Sequence, residues 1–309
     1  MYCFGVDIGG TTVKMGLFQE DGTIVEKWEI VTRVENAGEA ILPDVAASIL
    51  EKLAQHKIEK AEVCGIGVGV PAPVTGDGIV KQTTNLGWGY KDVKGELEGL
   101  TGLSVKVGND ANVAALGEMW KGGGKGSRNM VMVTLGTGVG GGIIVDGKML
   151  IGMNGAGGEI GHIVMKPEET ERCGCGKTGC LEQYASATGI ARLAKKRLAN
   201  NTDATVLQAE GITAKDVFDA VKEGDAVAIE IAKEFGRYLG YGLATVAALA
   251  DPEVYVIGGG VSKAGEILFE FIREPYLEKA FYASKHVEFA LATLGNDAGI
   301  YGAAKLILD

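Results

Sequence analysis

The chain has 309 residues, a formal net charge of −10, 46% hydrophobic residues and 49 glycines. An acidic chain of this kind offers no basic face to a nucleic-acid backbone or an anionic membrane, so neither is expected as a partner. The first ten residues, MYCFGVDIGG, lack the basic and apolar regions of a signal peptide, and no run of 18 apolar residues follows. We therefore expect a cytoplasmic protein, in which the cysteine-rich patch near residue 175 favours a metal over disulfides.

The chain begins with apolar strands joined by tight turns, and helical periodicity follows. In this first part we predict strands at Tyr2–Ile8, Thr12–Phe18, about Thr23–Thr32 and Val63–Val70, and a helix over about Gly38–His56. From residue 129 the order returns as a strand (MVMVTL), a glycine turn (GTGVGGG) and a second strand (IIVDGK). This recurrence indicates a diverged internal duplication.

The rest of the chain alternates helices with two more strands, EVYVIGGG and VEFALAT. The predicted helices cover about Leu181–Leu198, Ala214–Lys222 and Ala226–Ala250, with one beginning at Ser262 and a last one at Ala298. Sheets followed by helices, twice over, are typical of an α/β protein with two similar lobes, and we expect a ligand between them. We assign residues 1–113 and 298–309 to a small lobe and 114–297 to a large lobe, with a boundary near 111–126.

Three glycine-rich turns follow predicted strands and contain groups that bind phosphates, namely approachable backbone N–H groups, hydroxyls and a lysine. Their candidate residues are Asp7, Gly9, Gly10, Thr11, Thr12 and Lys14 in DIGGTTVK, Gly136, Thr137 and Gly138 in LGTGVGGG, and Gly258, Gly259 and Gly260 in IGGGVS. One glycine turn is more often only a turn, whereas three in one chain favour a nucleotide. We expect the third turn to precede a helix whose N-terminus holds the adenosine or the phosphates. None of the three fits the patterns of a P-loop or a dinucleotide-binding fold.

Asn109 and Asp110 lie between a predicted strand and an alanine-rich helical run, in GNDAN. One interpretation is a helix N-cap, which stabilises a protein by about 1 kcal/mol. The other is a general base, because a carboxylate beside a cleft can take the proton of an attacking hydroxyl during phosphoryl transfer. Position alone favours the cap, and only the neighbouring glycine turns favour the base.

Four potential metal ligands are spaced as H-x10-C-x-C-x4-C, and they are His162, Cys173, Cys175 and Cys180. Such nitrogen and sulfur ligands suit a closed, tetrahedral Zn²⁺ site, which would be structural. A redox pair is the weaker alternative, because C-x-C is not C-x-x-C. Glu159 and Glu182 flank the cluster, and they are either solvated surface residues or rigid acceptors for the hydroxyls of a sugar.

Five segments together resemble the ROK family of sugar kinases and repressors: DIGGT at 7–11, GNDAN at 108–112, LGTGVGGG at 135–142, GGEIGH at 157–162 and CGCGKTGCLE at 173–182. The segment NLGW at 85–88 adds to the likeness, which is greatest to bacterial members that phosphorylate glucose. The resemblance implies an actin-like, hexokinase-type (ribonuclease H-like) fold of two lobes with a duplicated core. Repressors of the family carry an added N-terminal DNA-binding domain, whereas the first strand here begins at residue 2, so a kinase is favoured.

The resemblance also implies phosphoryl transfer from ATP with Mg²⁺ to a sugar, at the 6-hydroxyl of glucose, by a homodimer. It identifies Asp110 as the general base and places five further residues on the sugar, namely Asn85, Asn109, Glu159, His162 and Glu182. His162 would contact both sugar and zinc through its two ring nitrogens, and Asp7 would lie near Mg²⁺ and the phosphates. The alternatives are a kinase for fructose, mannose or N-acetylmannosamine, a sugar-sensing repressor without activity, and an actin-like polymer-forming scaffold.

Overall fold

The computed structural model describes residues 1–199 and 202–309. The strands are β1 Tyr2–Ile8, β2 Thr12–Gln19, β3 Ile24–Val31, β4 Val63–Val70, β5 Ile79–Val80, β6 Lys91–Asp92, β7 Val105–Asn109, β8 Met130–Leu135, β9 Val139–Val145, β10 Lys148–Met149, β11 Val254–Gly258 and β12 Glu288–Leu291. The helices are α1 Glu35–Gly38, α2 Ile41–His56, α3 Val93–Thr101, α4 Asp110–Lys121, α5 Glu182–Ala185, α6 Ala187–Leu198, α7 Ala214–Lys222, α8 Ala226–Ala250, α9 Ile267–Lys279 and α10 Ala298–Leu308. Among the described residues, no helix has both the length and the apolar character needed to cross a membrane.

Contacts between residues divide the chain into two compact units. The first unit contains Met1–Arg128, Gly142–Gly158 and Thr293–Asp309, and the second contains Asn129–Gly141 and Glu159–Ala292. Compact units need not coincide with the functional lobes of a protein. The lobes predicted from the sequence, 1–113 with 298–309 and 114–297, therefore stay a prediction.

Two five-stranded sheets have the same strand order. The first sheet runs β3-β2-β1-β4-β7 and the second runs β10-β9-β8-β11-β12. In the first sheet β1, β4 and β7 are parallel, and in the second β8, β11 and β12 are parallel. The two orders correspond strand for strand, which is what the predicted internal duplication requires.

Strand β1 alternates its side chains between the two faces of the first sheet. Phe4, Val6 and Ile8 are buried in a core with residues of α2 and α3, whereas Cys3 is buried with Ile300 of α10. Both faces of the sheet are therefore covered by helices. This burial explains why β1 and β4 read as apolar runs in the sequence.

Helix α10 lies close to the first sheet and to α4 because glycines occupy the contact positions. A Cβ atom at Gly5 or Gly67 would overlap the backbone of α10, and one at Gly302 would overlap the carbonyl oxygen of Val113 in α4. The close approach holds β1, β4 and α4 against a single helix. Strand β1 and helix α4 carry the first group of candidate site residues.

The second unit is built around α8, a helix of 25 residues that packs against α5, α6, α7 and α9. The ring of Tyr184 in α5 stacks on that of Tyr238 in α8, with ring centroids 4.0 Å apart. This contact anchors the single turn of α5 to the longest helix.

Two predicted helices differ in the structure, each for a local reason. The helix predicted over Leu181–Leu198 is two helices, because the backbone of Ser186 is extended and its side chain accepts the N–H of Gly189 to begin α6. The helix predicted from Ser262 begins at Ile267, after a 3-10 turn over Val261–Ala264 and a glycine, Gly265, with φ of 91°. The IGGGVS turn is thus followed by a 3-10 turn and not by an α-helix.

Two further boundaries are displaced. The predicted turn GTGVGGG is a turn only at 136–138, because β9 already begins at Val139. Its last glycine, Gly142, lies in this strand, where a Cβ atom would overlap the side chain of Ala115 in α4. Helix α2 begins at Ile41 and not at Gly38, since Gly38 itself has φ of 67°, outside the helical region.

Candidate active site

The carboxyl ends of β1, β4 and β7 meet at one edge of the first sheet. Asp7 of β1 is paired with Gly69 of β4, and Gly69 is paired with Gly108 of β7. Neighbouring strands lie about 4.8 Å apart. The glycine turn after Asp7 and the pair Asn109–Asp110 therefore lie at the same edge of the sheet.

Asn109 begins helix α4 and also contacts Asp110. Its Oδ1 atom accepts the N–H groups of Ala111 and Asn112, at 3.1 and 3.2 Å, so Asn109 is the N-cap. Its Nδ2 atom donates to the carbonyl of Ala72 at 3.2 Å and to Oδ1 of Asp110 at 3.0 Å. Asp110 is the first residue of the helix and also accepts the N–H of Ala111 at 2.8 Å. A carboxylate at this position is stabilised by the helix dipole.

Asp7 lies beside this pair and has an unusual pKa. Burial, and next the charge of Asp110, raise the pKa of Asp7 to about 6, although Lys14 lowers it. A Cβ atom at Gly299 would overlap the Asp7 side chain, so the carboxylate packs against the first turn of α10. Two neighbouring carboxylates of this kind fit a bound cation, and Mg²⁺ takes such oxygen ligands together with phosphates.

The turn after Asp7 is held in a defined shape. Gly9 donates its N–H to the carbonyl of Thr12 at 3.0 Å, and the hydroxyl of Thr32 donates to the carbonyl of Gly9 at 2.7 Å. The N–H of Thr32 donates to the carbonyl of Thr11 at 2.9 Å. Lys14, on β2, donates through Nζ to the carbonyl of Asn296 at 3.4 Å. The lysine is thus engaged near the start of α10.

Asn85 lies beside the same turn. A Cβ atom at Gly10 would be 3.4 Å from the Cβ of Asn85, so the NLGW segment contacts the turn. The segment is fixed by buried Trp88, whose Nε1 donates to the carbonyl of Gly38 at 3.1 Å. The side chain of Asn85 itself is exposed. The first unit therefore brings Asn85, Asp7 and the Asp7 turn together.

The second unit brings together the four predicted metal ligands. The candidate ligand atoms of His162, Cys173, Cys175 and Cys180 all lie within 4.8 Å of one another. The Sγ atoms of Cys175 and Cys180 are 3.6 Å apart, and Sγ of Cys173 is 3.9 Å from Nδ1 of His162. Zn–S bonds of about 2.3 Å in a tetrahedron place sulfur atoms about 3.8 Å apart. The arrangement thus fits Zn²⁺.

Glycine at position 179 shapes this loop. Gly179 has φ of 74°, and a Cβ atom there would overlap the carbonyl of Lys166. The carbonyl of Gly179 accepts the N–H of Met165 at 2.7 Å, and the N–H of Leu181 donates to the carbonyl of Ile163 at 2.8 Å. These bonds close the loop that contains the three cysteines.

The two ring nitrogens of His162 face different partners. Nδ1 is the atom near Cys173, whereas Nε2 lies 3.9 Å from Oε2 of Glu159, whose side chain is exposed. With Nδ1 as the metal ligand, Nε2 carries the proton and is a hydrogen-bond donor toward the side of Glu159. The histidine can therefore contact a metal and a polar ligand at once.

Glu182 lies between the cysteine cluster and the second glycine turn. Its Oε2 atom accepts the N–H of Val139 at 3.0 Å, and its Oε1 atom is 3.4 Å from Sγ of Cys173. A Cβ atom at Gly138 would overlap the Glu182 carboxylate, so the two residues are in direct contact. The structure therefore joins Glu182 directly to the LGTGVGGG segment.

The second and third glycine turns are neighbours in the second unit. Gly258 is paired with Thr134, and a Cβ atom at Gly259, where φ is 85°, would overlap the backbone of Leu135. The second turn is held by the start of α6, because Ala187 donates its N–H to the carbonyl of Gly136 at 2.8 Å. Both turns therefore lie at the carboxyl ends of adjacent parallel strands, where α/β proteins bind nucleotides.

A cavity of about 310 Å³ lies beside these turns. Gly260 and Ala187 line one part of it, and residues of α7 and the 3-10 turn line the rest, including Thr213, Lys215, Phe218, Lys222 and Lys263. The lining combines the ring of Phe218 with three lysines and one acidic residue, Asp219, which pairs with Lys215.

A model of the ROK family matches residues 3–309 of the chain. The chain belongs to the ROK family. It is 46% identical to a glucokinase of Halalkalibacterium halodurans, over 98% of this chain and 94% of that protein. A ROK hexokinase from Thermus thermophilus matches with a TM-score of 0.82 and 30% identity, over 98% of this chain and 97% of that one. A ROK family glucokinase from Streptomyces griseus, in complex with glucose and AMPPNP, matches with a TM-score of 0.74 and 36% identity, over 99% of both chains.

The family and the fold predicted from the sequence are confirmed. The ROK chain has the α/β fold of the actin-like, hexokinase-type sugar kinases, with its duplicated core. The individual roles of the site residues stay predictions. Within the first unit the structure brings together Asp7, Asn85, Asn109 and Asp110, and within the second it brings together His162, the cysteines, Glu182 and Glu159.

Sequence reasoning missed the cavity residues of α7 and one residue of α4. Lys215, Phe218 and Lys222 are spaced three or four apart on one helix face, but nothing in the sequence connects that face to a glycine turn 40 residues away. Asn112 is buried, donates to the carbonyl of Gly157 at 3.2 Å, and has an Oδ1 atom without a partner among the described residues. The repeated asparagine of GNDAN was the available signal.

Proposed function

We propose that this ROK protein is an ATP-dependent hexose kinase that phosphorylates glucose at the 6-hydroxyl. The observation that carries the proposal is the placement of Asp110, at the first turn of α4 and at the sheet edge that also holds the Asp7 turn. A base held beside a phosphate-binding turn is what phosphoryl transfer to an alcohol needs. The glucokinase relative and the family structure that holds glucose and AMPPNP support glucose and ATP as substrates.

In this proposal Asp110 accepts the proton of the 6-hydroxyl as that oxygen attacks the γ-phosphate in line. Asn109 orients the Asp110 carboxylate through its side-chain amide. The raised pKa of Asp7 suits a residue whose charge is balanced by a cation when the nucleotide is bound. Mg²⁺, when bound, neutralises charge on the β- and γ-phosphates.

We assign the sugar hydroxyls to the polar residues that the family resemblance identifies. Glu159, His162 and Glu182 would provide acceptors and a donor, and Asn85 and Asn109 would provide amides. A pocket that pairs every hydroxyl discriminates strongly, because an analogue lacking one hydroxyl leaves a buried polar group unpaired. Asn112 adds a buried acceptor, Oδ1, that a hydroxyl or a water molecule can satisfy.

We assign the nucleotide to the turns of the second unit and the cavity beside them. Gly136, Thr137 and Gly138 would face the phosphates, and Gly258, Gly259 and Gly260 would border the adenosine. Phe218 gives the cavity an apolar wall, and Lys222 and Lys263 give it positive charge, since Lys215 is paired with Asp219. Zn²⁺ at the cysteine cluster would have a structural role, keeping His162 and Glu182 in place.

The test is a comparison of kcat/KM for glucose, fructose, mannose and N-acetylmannosamine with ATP and Mg²⁺. Coupling to glucose-6-phosphate dehydrogenase reports phosphorylation of glucose at the 6-position, and ADP release reports the other sugars. We expect glucose to have the highest kcat/KM. A higher kcat/KM for another hexose would identify that sugar as the substrate in place of glucose. No ADP release with any hexose would contradict the proposal that the protein is a kinase.

A homodimer, a cytoplasmic location and the absence of nucleic-acid binding also stay proposals. Sedimentation equilibrium of the purified protein measures the assembly state, and a mass of twice 32.2 kDa is expected. An operator-binding assay at moderate salt tests the repressor alternative, and we expect no shift.

A further inference from the structure

Arg192, on α6, links the segment before the cysteines to the short helix α5. Its Nη2 atom donates to Oε2 of Glu169 at 2.5 Å, its Nε atom donates to Oε2 of Glu171 at 2.6 Å, and its Nη1 atom donates to the carbonyl of Gln183 at 3.3 Å. We refer to Arg192, Glu169, Glu171 and Gln183 as the arginine clamp. One guanidinium group thus holds three positions that are distant from it in sequence.

Glu169 is the buried member of the clamp. Its side chain is 8% exposed, and its carboxylate also accepts the hydroxyl of Tyr184 at 2.8 Å and the N–H groups of Thr170 and Glu171. The bond from Arg192 keeps the pKa of Glu169 well below its ordinary value. Charge-assisted bonds in such a site are stronger than those of a surface ion pair.

Gln183 connects the clamp to the cysteine loop. Its Oε1 atom accepts the N–H of Cys180 at 3.1 Å, and its Nε2 atom donates to the carbonyl of Glu171 at 2.9 Å. Glu171 lies two residues before Cys173, and Cys180 is the last of the three cysteines. The clamp therefore holds both ends of the loop without using any metal ligand side chain.

Glu182 lies between the two anchors. It begins α5, a helix of four residues, and a single helical turn does not hold itself in position. Cys180, two residues before it, belongs to the metal cluster, and Gln183, one residue after it, belongs to the clamp. The position of the Glu182 carboxylate therefore depends on constraints from both sides.

We infer that Arg192 is a positioning residue for the sugar site, which holds the cysteine loop and the start of α5, including Glu182, through bonds that use no metal ligand side chain. The link to sugar affinity rests on the proposed function, whereas the effect on the cysteine loop does not. Loss of the clamp should loosen Glu182 and also let zinc leave more easily, because the backbone of Cys180 loses its support.

The test compares Arg192→Gln with Arg197→Gln. Arg197 lies on the same helix and also pairs with two carboxylates, Glu230 at 2.8 Å and Asp203 at 2.6 Å, so it is a matched control. For Arg192→Gln we expect the KM for glucose to rise about tenfold or more and zinc release to a chelator to accelerate by a similar factor, with a smaller change in kcat. Arg192→Lys should be intermediate, since an ammonium group cannot reproduce the planar fork. Arg197→Gln should behave as the wild type in both assays.

The inference would be overturned if folded Arg192→Gln protein had both the wild-type KM for glucose and the wild-type rate of zinc release. If the wild type phosphorylates no hexose, the proposed function fails, and the zinc release rate alone decides the clamp. If Arg192→Gln does not fold, Glu171→Gln takes its place, because Glu171 is 53% exposed and its loss removes only one arm. Faster zinc release from that variant supports the clamp, and an unchanged rate overturns it.

Discussion

Asn109 donates its side-chain amide to the carboxylate of Asp110, with Nδ2 3.0 Å from Oδ1. The same side chain caps α4 through its other atom, Oδ1. The cap interpretation of GNDAN therefore applies to Asn109. The general-base role of Asp110 stays a prediction, and Asp110 need not act as the N-cap.

Asp110→Asn should keep the fold and sugar binding but lower kcat by about 10²–10⁴-fold, since an amide cannot accept the hydroxyl proton. The measurements are kcat in the coupled assay and the glucose dissociation constant by calorimetry. Asp92→Asn is the control, because Asp92 also lies at a helix start, where it caps α3. Near-normal turnover of Asp110→Asn would remove the general-base assignment.

Asn109→Asp and Asn109→Ser separate the cap from the contact with Asp110. Both replacements are good N-caps, and both lack the amide that donates to Asp110. Only aspartate adds a negative charge, which raises the pKa of a neighbouring carboxylate. We expect the acid limb of the kcat/KM profile to move to higher pH in both variants, because each loses the amide donor, and to move farther for Asn109→Asp. Equal shifts in both variants would show that charge is not the cause.

Asp7→Asn should stabilise the protein at neutral pH while lowering activity. Because the folded-state pKa of about 6 lies above the ordinary 3.8, the folded protein binds more protons between these values. The contribution of Asp7 to stability is thus present below pH 3.8 and lost as the pH rises through the folded pKa. Removing the charge should raise the free energy of unfolding at pH 7 by about 1–3 kcal/mol.

The check on Asp7 is chemical denaturation of the metal-free, nucleotide-free protein at pH 4, 5, 6 and 7. The difference between Asp7→Asn and wild type should grow with pH over this range. Exposed Asp77 provides the control, Asp77→Asn. If the free energy of unfolding of the wild type does not fall relative to that of Asp7→Asn as the pH rises, the Asp7 carboxylate is not destabilised by burial.

Cys175→Ser should raise the KM for glucose, by about tenfold or more, because a metal-free loop holds His162 and Glu182 less firmly. Metal analysis should give one zinc per wild-type chain and none per variant chain. Cys64→Ser is the matched control, since Cys64 is a thiol outside the cluster. An unchanged KM in verified metal-free protein would contradict the structural role of the cluster.

Gly302→Ala should destabilise the first unit, whereas Gly99→Ala should stabilise it. A Cβ atom at Gly302 would overlap the carbonyl of Val113, and overpacking of this kind costs about 1–3 kcal/mol. Gly99 lies in α3 with open space around it, and alanine favours a helix by about 0.5–1 kcal/mol. Thermal unfolding of both variants measures the difference, and equal changes would mean that α10 can move away from α4.

Local patterns were sufficient to predict several elements residue by residue. Strands β1 and β4 and helices α7 and α8 have the predicted bounds, because apolar periodicity and polar capping residues coincide there. The prediction was wrong at Ser186 and Gly265, where a cap and a positive φ interrupt an otherwise helical pattern. Ser186 was the available signal, because serine often begins a helix. The apolar periodicity on both sides of it led to the prediction of one continuous helix.

The placement of the candidate residues was predictable where one segment carries its own chemistry. The cysteine cluster and Asn109–Asp110 are such segments, because ligand spacing and helix starts are local properties. The cavity residues of α7 and the arginine clamp were not predictable, because tertiary packing alone brings Arg192 to Glu169 and Phe218 to Gly260. From sequence alone, a lysine or arginine on a helix is interpreted as a solvent-exposed charge, because its partner is not known.

Strand β1 packs against α10 through the contact of Gly5 with Ile300, two positions about 300 residues apart in the chain. A ribosome adding about 10 residues per second takes about 30 s to pass from one to the other. Until α10 has been synthesised, one face of β1 and β4 has no helix to cover it. A chaperone that binds apolar strands would shield this face during that interval.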